Sequence, residues 1–76
     1  MNWLEELIEE YNRTAKEEDK LTRYRLEKDY GLSQKTTHNI IKNNTQFDKI
    51  SINTAYALAK AIGMELGEFV EKYRGK

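Results

Sequence analysis

The chain has 76 residues, and its formal net charge is zero because 13 lysines and arginines balance 13 aspartates and glutamates. This length allows one domain, predicted to span residues 1–76, and the absence of cysteine excludes disulfides and thiolate metal ligands. The N-terminus lacks the basic and apolar regions of a signal peptide, and no apolar run approaches the roughly 18 residues of a membrane span. We therefore expect a cytoplasmic protein without a membrane segment.

Charge is distributed unevenly along this neutral chain. Residues 1–19 contain seven acidic and two basic residues, a balance of −5, whereas residues 20–50 contain seven basic and three acidic residues, a balance of +4. Residues 51–76 contain four basic and three acidic residues, a balance of +1. Because the positive excess lies in the middle of the chain, the neutral total does not exclude a basic surface that binds nucleic acid.

The first predicted helix runs from about Asn2 to Glu17. Its apolar residues recur at spacings of three and four, which forms one helical stripe, and glutamates occupy the opposite face. The stripe consists of Trp3, Leu4, Leu7, Ile8 and Tyr11.

Two further helices are predicted around a short turn. Thr22 is a suitable N-cap for the second helix, and Gly31 ends it because glycine readily adopts the left-handed conformation that follows many helices. Ser33 caps a third helix, from about Gln34 to Asn43. The second helix carries Leu26 and Tyr30, and the inward-facing residues of the third are Thr37, Ile40 and Ile41.

The rest of the chain predicts two more helices. The segment from Asn43 to Ile50 is polar, with Phe47 and Ile50 as anchors. Ser51 caps a fourth helix, which Gly63 ends. The core positions of the fourth helix are Ala55, Leu58, Ala59 and Ile62, and the fifth helix carries Leu66, Phe69, Val70 and Tyr73. The pattern predicts an all-α fold of five short helices.

Residues 22–42 have the layout of a helix-turn-helix: a helix, a glycine, a short turn and a capped helix. Gly31 lets the chain reverse without a Cβ clash, and Leu32 holds the turn to the core. Ser33 leaves the first amides of the third helix pointing outward, where a phosphate can bind. Because such a unit also arises by chance in helical domains, the motif alone leaves DNA binding and a purely structural role equally open.

On these residues the chain resembles the Cro/repressor-type (XRE) helix-turn-helix family, the lambda-repressor-like DNA-binding domain. A second match lies downstream, where SINTAYALAKAIGMELGEF, from Ser51 to Phe69, resembles the family's fourth and fifth helices. The resemblance covers about residues 4–70 and implies a helix-turn-helix at about residues 22–43. The family's leucine, glycine, apolar residue and serine correspond to Leu26, Gly31, Leu32 and Ser33.

Three positions depart from the family's pattern. Glu27 stands where alanine usually packs against the next helix, Thr37 where an apolar residue is usual, and Ile41 where glutamate is common. The segment from Asn43 to Ile50 is also slightly long. We expect these departures to affect the angle between the two helices but not the class of the fold.

The resemblance implies that the first turns of the third helix read DNA bases. Glutamine and asparagine pair with adenine through two hydrogen bonds, and lysine donates to guanine. The expected base-reading residues are Gln34, Lys35, His38 and Asn39. Contacts to phosphate, which set register but not sequence, are expected from Arg23, Ser33, Thr36, Lys42, Asn43, Asn44, Thr45 and Lys49.

We expect neither an enzyme active site nor a metal site. His38 is the single histidine, and no serine, cysteine or carboxylate pair has triad-like spacing around it. A lone histidine in a chain without cysteine is a poor basis for a metal site. The glutamates of the first helix are more simply a solvated face. No cofactor is expected.

The sequence therefore favours a small transcriptional regulator, a repressor of phage, plasmid or bacterial type, that binds a double-stranded DNA operator. We expect a homodimer because one recognition helix reads only a few base pairs, and Phe69, Val70 and Tyr73 are candidate dimer contacts. The alternative is a protein-interaction module of the same fold, such as an antitoxin, an anti-repressor or an inhibitor. Such a module would bind a protein partner through the acidic first helix, and the zero net charge keeps this alternative open.

Overall fold

Five α-helices and two short 3₁₀ turns make up the fold, which a computed structural model describes for residues 2–76. This confirms the predicted all-α architecture of five helices. The helices are α1 (Trp3–Thr14), α2 (Arg23–Tyr30), α3 (Gln34–Lys42), α4 (Ile52–Ala61) and α5 (Leu66–Tyr73), and the 3₁₀ turns are Glu17–Asp19 and Phe47–Lys49.

The predicted helix boundaries of α2, α3 and α4 depend on side-chain caps and left-handed residues. The hydroxyls of Thr22, Ser33 and Ser51 each accept a hydrogen bond from the amide three residues later, which confirms all three N-caps. Gly31 follows α2 with a φ of +76°, and Gly63 follows α4 with a φ of +71°. Both glycines therefore end their helices by the predicted left-handed turn.

The prediction that α1 extends to Glu17 is wrong, because the helix ends at Thr14. Ala15 is already extended, with φ −76° and ψ 146°. The cause is a pair of hydrogen bonds that joins Asn12 to the connection before α2. Its side-chain amide donates to the carbonyl of Leu21 at 2.8 Å, and its side-chain oxygen accepts from the Leu21 amide at 2.7 Å. These bonds hold the chain beside the last turn of α1 and prevent the helix from continuing.

An aromatic cluster forms one side of the core. The ring of Phe47 lies 5.3 Å from Trp3 and 5.4 Å from Phe69 between centroids, and Tyr73 lies 5.0 Å from Phe69. Phe69 is 0% exposed and Tyr73 is 3% exposed. These two residues are therefore unavailable as the dimer contacts predicted from the sequence, and only Val70 of that set is partly exposed.

The remaining apolar residues follow the predicted helical stripes, and Ile41 and Ile62 pack against the core while partly exposed. Three large apolar or aromatic side chains, Tyr24, Ile52 and Tyr56, lie mostly in solvent. Within residues 2–76, no helix has the length and apolar character needed to cross a bilayer. The rest of the buried apolar set consists of Leu4, Leu7, Leu21, Leu26, Leu32, Ile40, Ala55, Leu58, Ala59 and Ala61.

Candidate nucleic-acid interface

One face of α3 is polar and open to solvent. Gln34, Lys35, His38 and Lys42 are exposed, and Asn39 is half-buried. Because an α-helix has 3.6 residues per turn, the exposed positions follow one another along one side of the helix. No hydrogen bond within residues 2–76 engages the side chains of these five residues, so their donors and acceptors are available to an external partner.

The opposite face of α3 determines which side chains are presented. Thr37 is 0% exposed and Ile40 is 2% exposed, and Ile41 packs against the core from a half-buried position. Rotation of α3 about its axis would bring these residues into water, which is unfavourable for the isoleucines. The exposed polar face is therefore held in a fixed orientation by burial of the other face.

The N-terminal end of α3 leaves two backbone donors open. The Ser33 hydroxyl accepts from the Thr36 amide at 3.0 Å, and the two hydroxyl oxygens are 2.7 Å apart. The amides of Gln34 and Lys35, at the first two helical positions, have no hydrogen-bond acceptor among residues 2–76. These donors lie at the positive end of the helix dipole, beside the exposed side chains of the same turn.

Glu27 of α2 and Thr37 of α3, two of the residues that depart from the family's pattern, contact each other. The Thr37 hydroxyl lies 3.2 Å from a carboxylate oxygen of Glu27 and 3.1 Å from the carbonyl of Gln34. The half-buried carboxylate of Glu27 thus accepts from a hydroxyl donor that an apolar residue at position 37 would not offer. The two departures are therefore compensating, and they add a polar contact between the two helices of the helix-turn-helix.

The C-terminal end of α3 closes with a left-handed asparagine. Asn44 has a φ of +51°, and the Thr45 amide donates to the carbonyl of Ile40 at 3.1 Å, which is the closing bond of a Schellman turn. The Thr45 hydroxyl also donates to the carbonyl of Asn39 at 3.3 Å. The sequence placed the end of α3 within one residue but missed this turn, because asparagine occupies the position where glycine is usual.

The start of α1 reaches the same turn. The side-chain amide of Asn2 donates to the carbonyl of Ile40 at 2.9 Å and to the side-chain oxygen of Asn44 at 3.0 Å. The indole nitrogen of Trp3 donates to the carbonyl of Thr45 at 2.7 Å. The sequence contains one signal for this region, the capping box between Asn2 and Glu5, but a capping box indicates only where a helix begins.

The residues expected to contact phosphate fall into two groups. The first group is exposed, and its side chains form no hydrogen bond within residues 2–76; it consists of Arg23, Lys42, Asn43 and Lys49. The second group already contributes hydrogen bonds to the ends of α3; it consists of Ser33, Thr36, Asn44 and Thr45. The two groups thus differ in how freely they can respond to a ligand.

The ion pairs lie away from the exposed face of α3. Arg25, for example, is close in sequence to Arg23, but its guanidinium donates to Asp29 and to the carbonyls of Glu18 and Lys20. The five pairs found among residues 2–76 use Arg13, Lys20, Arg25, Lys72 and Arg74 as their cations. The cations on α3 and in the loop after it are therefore not neutralised by an ion pair within the described chain.

The acidic face of α1 is largely engaged by the chain itself. Glu5 accepts from the Asn2 amide, and Glu9 pairs with Arg13. Glu10 lies 2.9 Å from Lys72 of α5, and the hydrogen bond between them lowers the pKa of Glu10 and raises the pKa of Lys72. Across residues 2–76, no three aspartate, glutamate or histidine side chains are grouped as a metal site would require.

A family model described as the Cro/C1-type HTH DNA-binding domain matches residues 15–73. No curated protein and no solved structure matches the chain significantly. The matched range contains α2 to α5, including the exposed face of α3, whereas α1 precedes it.

Proposed function

The chain belongs to the Cro/C1-type helix-turn-helix DNA-binding domain family, and we propose that it is a small cytoplasmic repressor of phage, plasmid or bacterial type that recognises a specific double-stranded DNA operator. DNA binding by a small regulator follows from the family. The observation that supports sequence-specific recognition is the exposed polar face of α3, whose side chains form no hydrogen bond within residues 2–76 while the opposite face is buried.

In this proposal, α3 is the recognition helix and lies in the major groove. Gln34 and Asn39 each pair with an adenine, and Lys35 donates to a guanine. His38, one turn after Gln34 and Lys35, contacts a further base edge. A good bidentate contact discriminates against the wrong base by about 1–3 kcal/mol. Recognition therefore depends chiefly on the two amide side chains and on the lysine.

Phosphate contacts hold α3 in register. The strongest of the proposed contacts are Arg23, Lys42, Asn43 and Lys49, because their side chains are exposed and have no hydrogen-bond partner in the described part of the chain. Ser33 and Thr36 share one hydroxyl hydrogen bond, which leaves one proton free, and Asn44 keeps side-chain amide protons for a ligand. Thr45 is the weakest member, since its hydroxyl already donates to the carbonyl of Asn39.

We propose that two copies bind one operator. The longest dimension of the folded chain is 30 Å, which is close to the roughly 34 Å of one turn of B-DNA. One copy therefore covers about one turn, and a homodimer reads two half-sites about 10 base pairs apart. Occupation of both half-sites within a promoter would exclude RNA polymerase.

The experiment is selection of binding sites from random duplexes, followed by titration of the selected duplex. Lys35→Glu should weaken binding by about 100-fold, because it removes a base contact and adds repulsion. Lys16→Glu is the matched control, since Lys16 is exposed in the connection after α1 and its reversal makes the same change in net charge. We expect little effect from the control at physiological salt.

Two results would contradict this proposal. One is a wild-type protein that selects no sequence, even at low salt where phosphate contacts are strongest. The other is an equal loss of affinity in Lys35→Glu and Lys16→Glu.

A protein-interaction module that acts through α1 is less favoured, because three of the four N-terminal glutamates of α1 have partners within the chain.

A further inference from the structure

The two residues at the start of α1 make the only side-chain hydrogen bonds that reach the C-terminal turn of α3 from another helix within residues 2–76. Asn2 uses both ends of its side chain. Its oxygen accepts from the Leu4 amide at 2.8 Å and caps α1, while its nitrogen donates to the carbonyl of Ile40 and to Asn44. One asparagine thus starts α1 and ends α3. Asn2 is itself 8% exposed, and its bonds to Leu4 and Ile40 are buried, whereas its bond to the exposed Asn44 is part-buried.

Trp3 extends this contact to the loop after α3. Its indole nitrogen donates to the Thr45 carbonyl at 2.7 Å, and its ring packs edge-on against Phe47 at 5.3 Å. The backbone between Asn44 and Phe47 is therefore attached to α1 at both ends. We call the contacts of Asn2 and Trp3 with residues 40–47 the α1 clasp.

The clasp acts at the one non-glycine residue within residues 2–76 that has a positive φ. Asn44 has a left-handed φ, a conformation that is unfavourable for most non-glycine residues and that asparagine adopts more readily than most. The hydrogen bond from Asn2 to its side chain favours this conformation over the alternatives. Without the clasp, the end of α3 would lose the two hydrogen bonds from Asn2, and the loop would lose the bond from Trp3 to the Thr45 carbonyl.

This loop carries part of the proposed DNA contact. Asn43 directly precedes the left-handed residue, and Lys49 ends the 3₁₀ turn that Phe47 anchors. Both side chains are exposed and form no hydrogen bond with the residues that the structure describes, so their positions depend on the backbone that carries them. A shift of the turn would move both away from phosphates that α3 places within reach.

Resting on the proposed function, we propose that Asn2 and Trp3 are positioning residues for DNA binding, which fix the loop of residues 43–49 against the phosphate backbone although neither touches DNA. Both residues lie outside residues 15–73, the range that matches the family.

The test uses Asn2→Ser, which retains an N-capping oxygen for α1 but lacks the amide that reaches α3. Ile62→Ala is the matched control, because it removes a half-buried core side chain near α1 and α5, away from α3. Trp3→Phe is a second variant that keeps an aromatic ring but lacks the indole donor. Each is titrated with the selected duplex well below its melting temperature, alone and combined with Lys49→Gln.

If the clasp positions the loop, Asn2→Ser and Trp3→Phe each weaken DNA binding about tenfold. Each also reduces the slope of log affinity against log salt concentration by about the amount expected for one phosphate contact. The control Ile62→Ala binds DNA as the wild type does. In that case Lys49→Gln lowers the DNA affinity of the wild type but causes little further loss of affinity in the Asn2→Ser background. Faster hydrogen exchange of the Thr45 amide in Asn2→Ser than in Ile62→Ala reports the same loosening without DNA.

Equal affinity of folded Asn2→Ser and wild type, or an undiminished effect of Lys49→Gln in the Asn2→Ser background, overturns the positioning role. Neither result affects the proposed function, which fails if the wild-type protein selects no duplex or if Lys35→Glu and Lys16→Glu lose affinity equally. The two failures are therefore distinguishable within one set of titrations.

Discussion

The contact between Glu27 and Thr37 predicts a measurable coupling between α2 and α3. Replacing Thr37 by valine removes a buried hydroxyl with almost no change of shape, and replacing Glu27 by alanine removes the carboxylate that accepts from it. The double variant places two apolar residues at these positions, which resembles the usual pattern of the family. We expect the double variant to lose less unfolding free energy than the two single variants lose together. The reason is that each single change leaves one partner of the pair without its hydrogen bond.

The magnitude follows from the geometry. A hydrogen bond to a charged group contributes about 1.5–3 kcal/mol when it is well protected. Here the value is smaller for two reasons: Glu27 is half-buried, and the single proton of Thr37 is shared with the carbonyl of Gln34 at a similar distance. We therefore expect a coupling free energy of about 0.5–1 kcal/mol. For a domain of this size, 1 kcal/mol corresponds to a change in Tm of about 4–8 °C.

The assay is urea unfolding at neutral pH, monitored by circular dichroism, of the wild type, both single variants and the double variant. Additive effects of the two substitutions, with a coupling energy indistinguishable from zero, would refute the argument that the pair is compensating. A coupling of opposite sign would show that Glu27 is strained by Thr37. A matched pair without contact, Glu68→Ala with Thr37→Val, should be additive, since Glu68 lies on α5.

Three further outcomes are expected. Ser33→Ala and Ser51→Ala should each lower the free energy of unfolding by about 1 kcal/mol, because each removes an N-cap; gel-shift titration should show weaker DNA binding for Ser33→Ala only. Asn44→Gly should be about 1 kcal/mol more stable to urea than Asn44→Ala, because glycine adopts the left-handed φ freely. Burial raises the pKa of Tyr73 above its usual 10.0, so the unfolded chain ionises first and stability should fall as the pH rises from 10.0 through the folded pKa. Urea unfolding across this range should show a shallower decline for Tyr73→Phe, and an unchanged decline would contradict the assignment.

Much of the fold was predictable because it depends on local signals. The caps at Thr22, Ser33 and Ser51 and the glycines at positions 31 and 63 each act on residues within one helical turn. The stripes of apolar residues likewise repeat with the period of the helix. Local signals of this kind are legible in a single sequence, and the confirmed boundaries of α2 and α4 depend on them.

The contacts that the sequence did not reveal are long-range and polar. The bonds from Asn12 to Leu21 and from Asn2 to Asn44 join residues nine and 42 positions apart, and a single asparagine has no periodicity that marks its partner. The prediction that Phe69 and Tyr73 contact a second copy was wrong for a related reason, because an apolar stripe on a terminal helix looks the same whether it covers its own core or a second copy. The base-reading and phosphate-contact residues stay predictions that binding experiments must test.

The chain's single tryptophan also gives the molecule an internal optical reporter. Trp3 is 5% exposed, and its indole nitrogen is bonded to the first backbone carbonyl beyond the left-handed turn of α3. Indole fluorescence depends on hydration and hydrogen bonding. The tryptophan emission spectrum therefore monitors one place, the junction between the recognition helix and the loop after it. A ligand that displaced this junction would change the spectrum without any added label, whereas a ligand bound elsewhere would leave it unaltered.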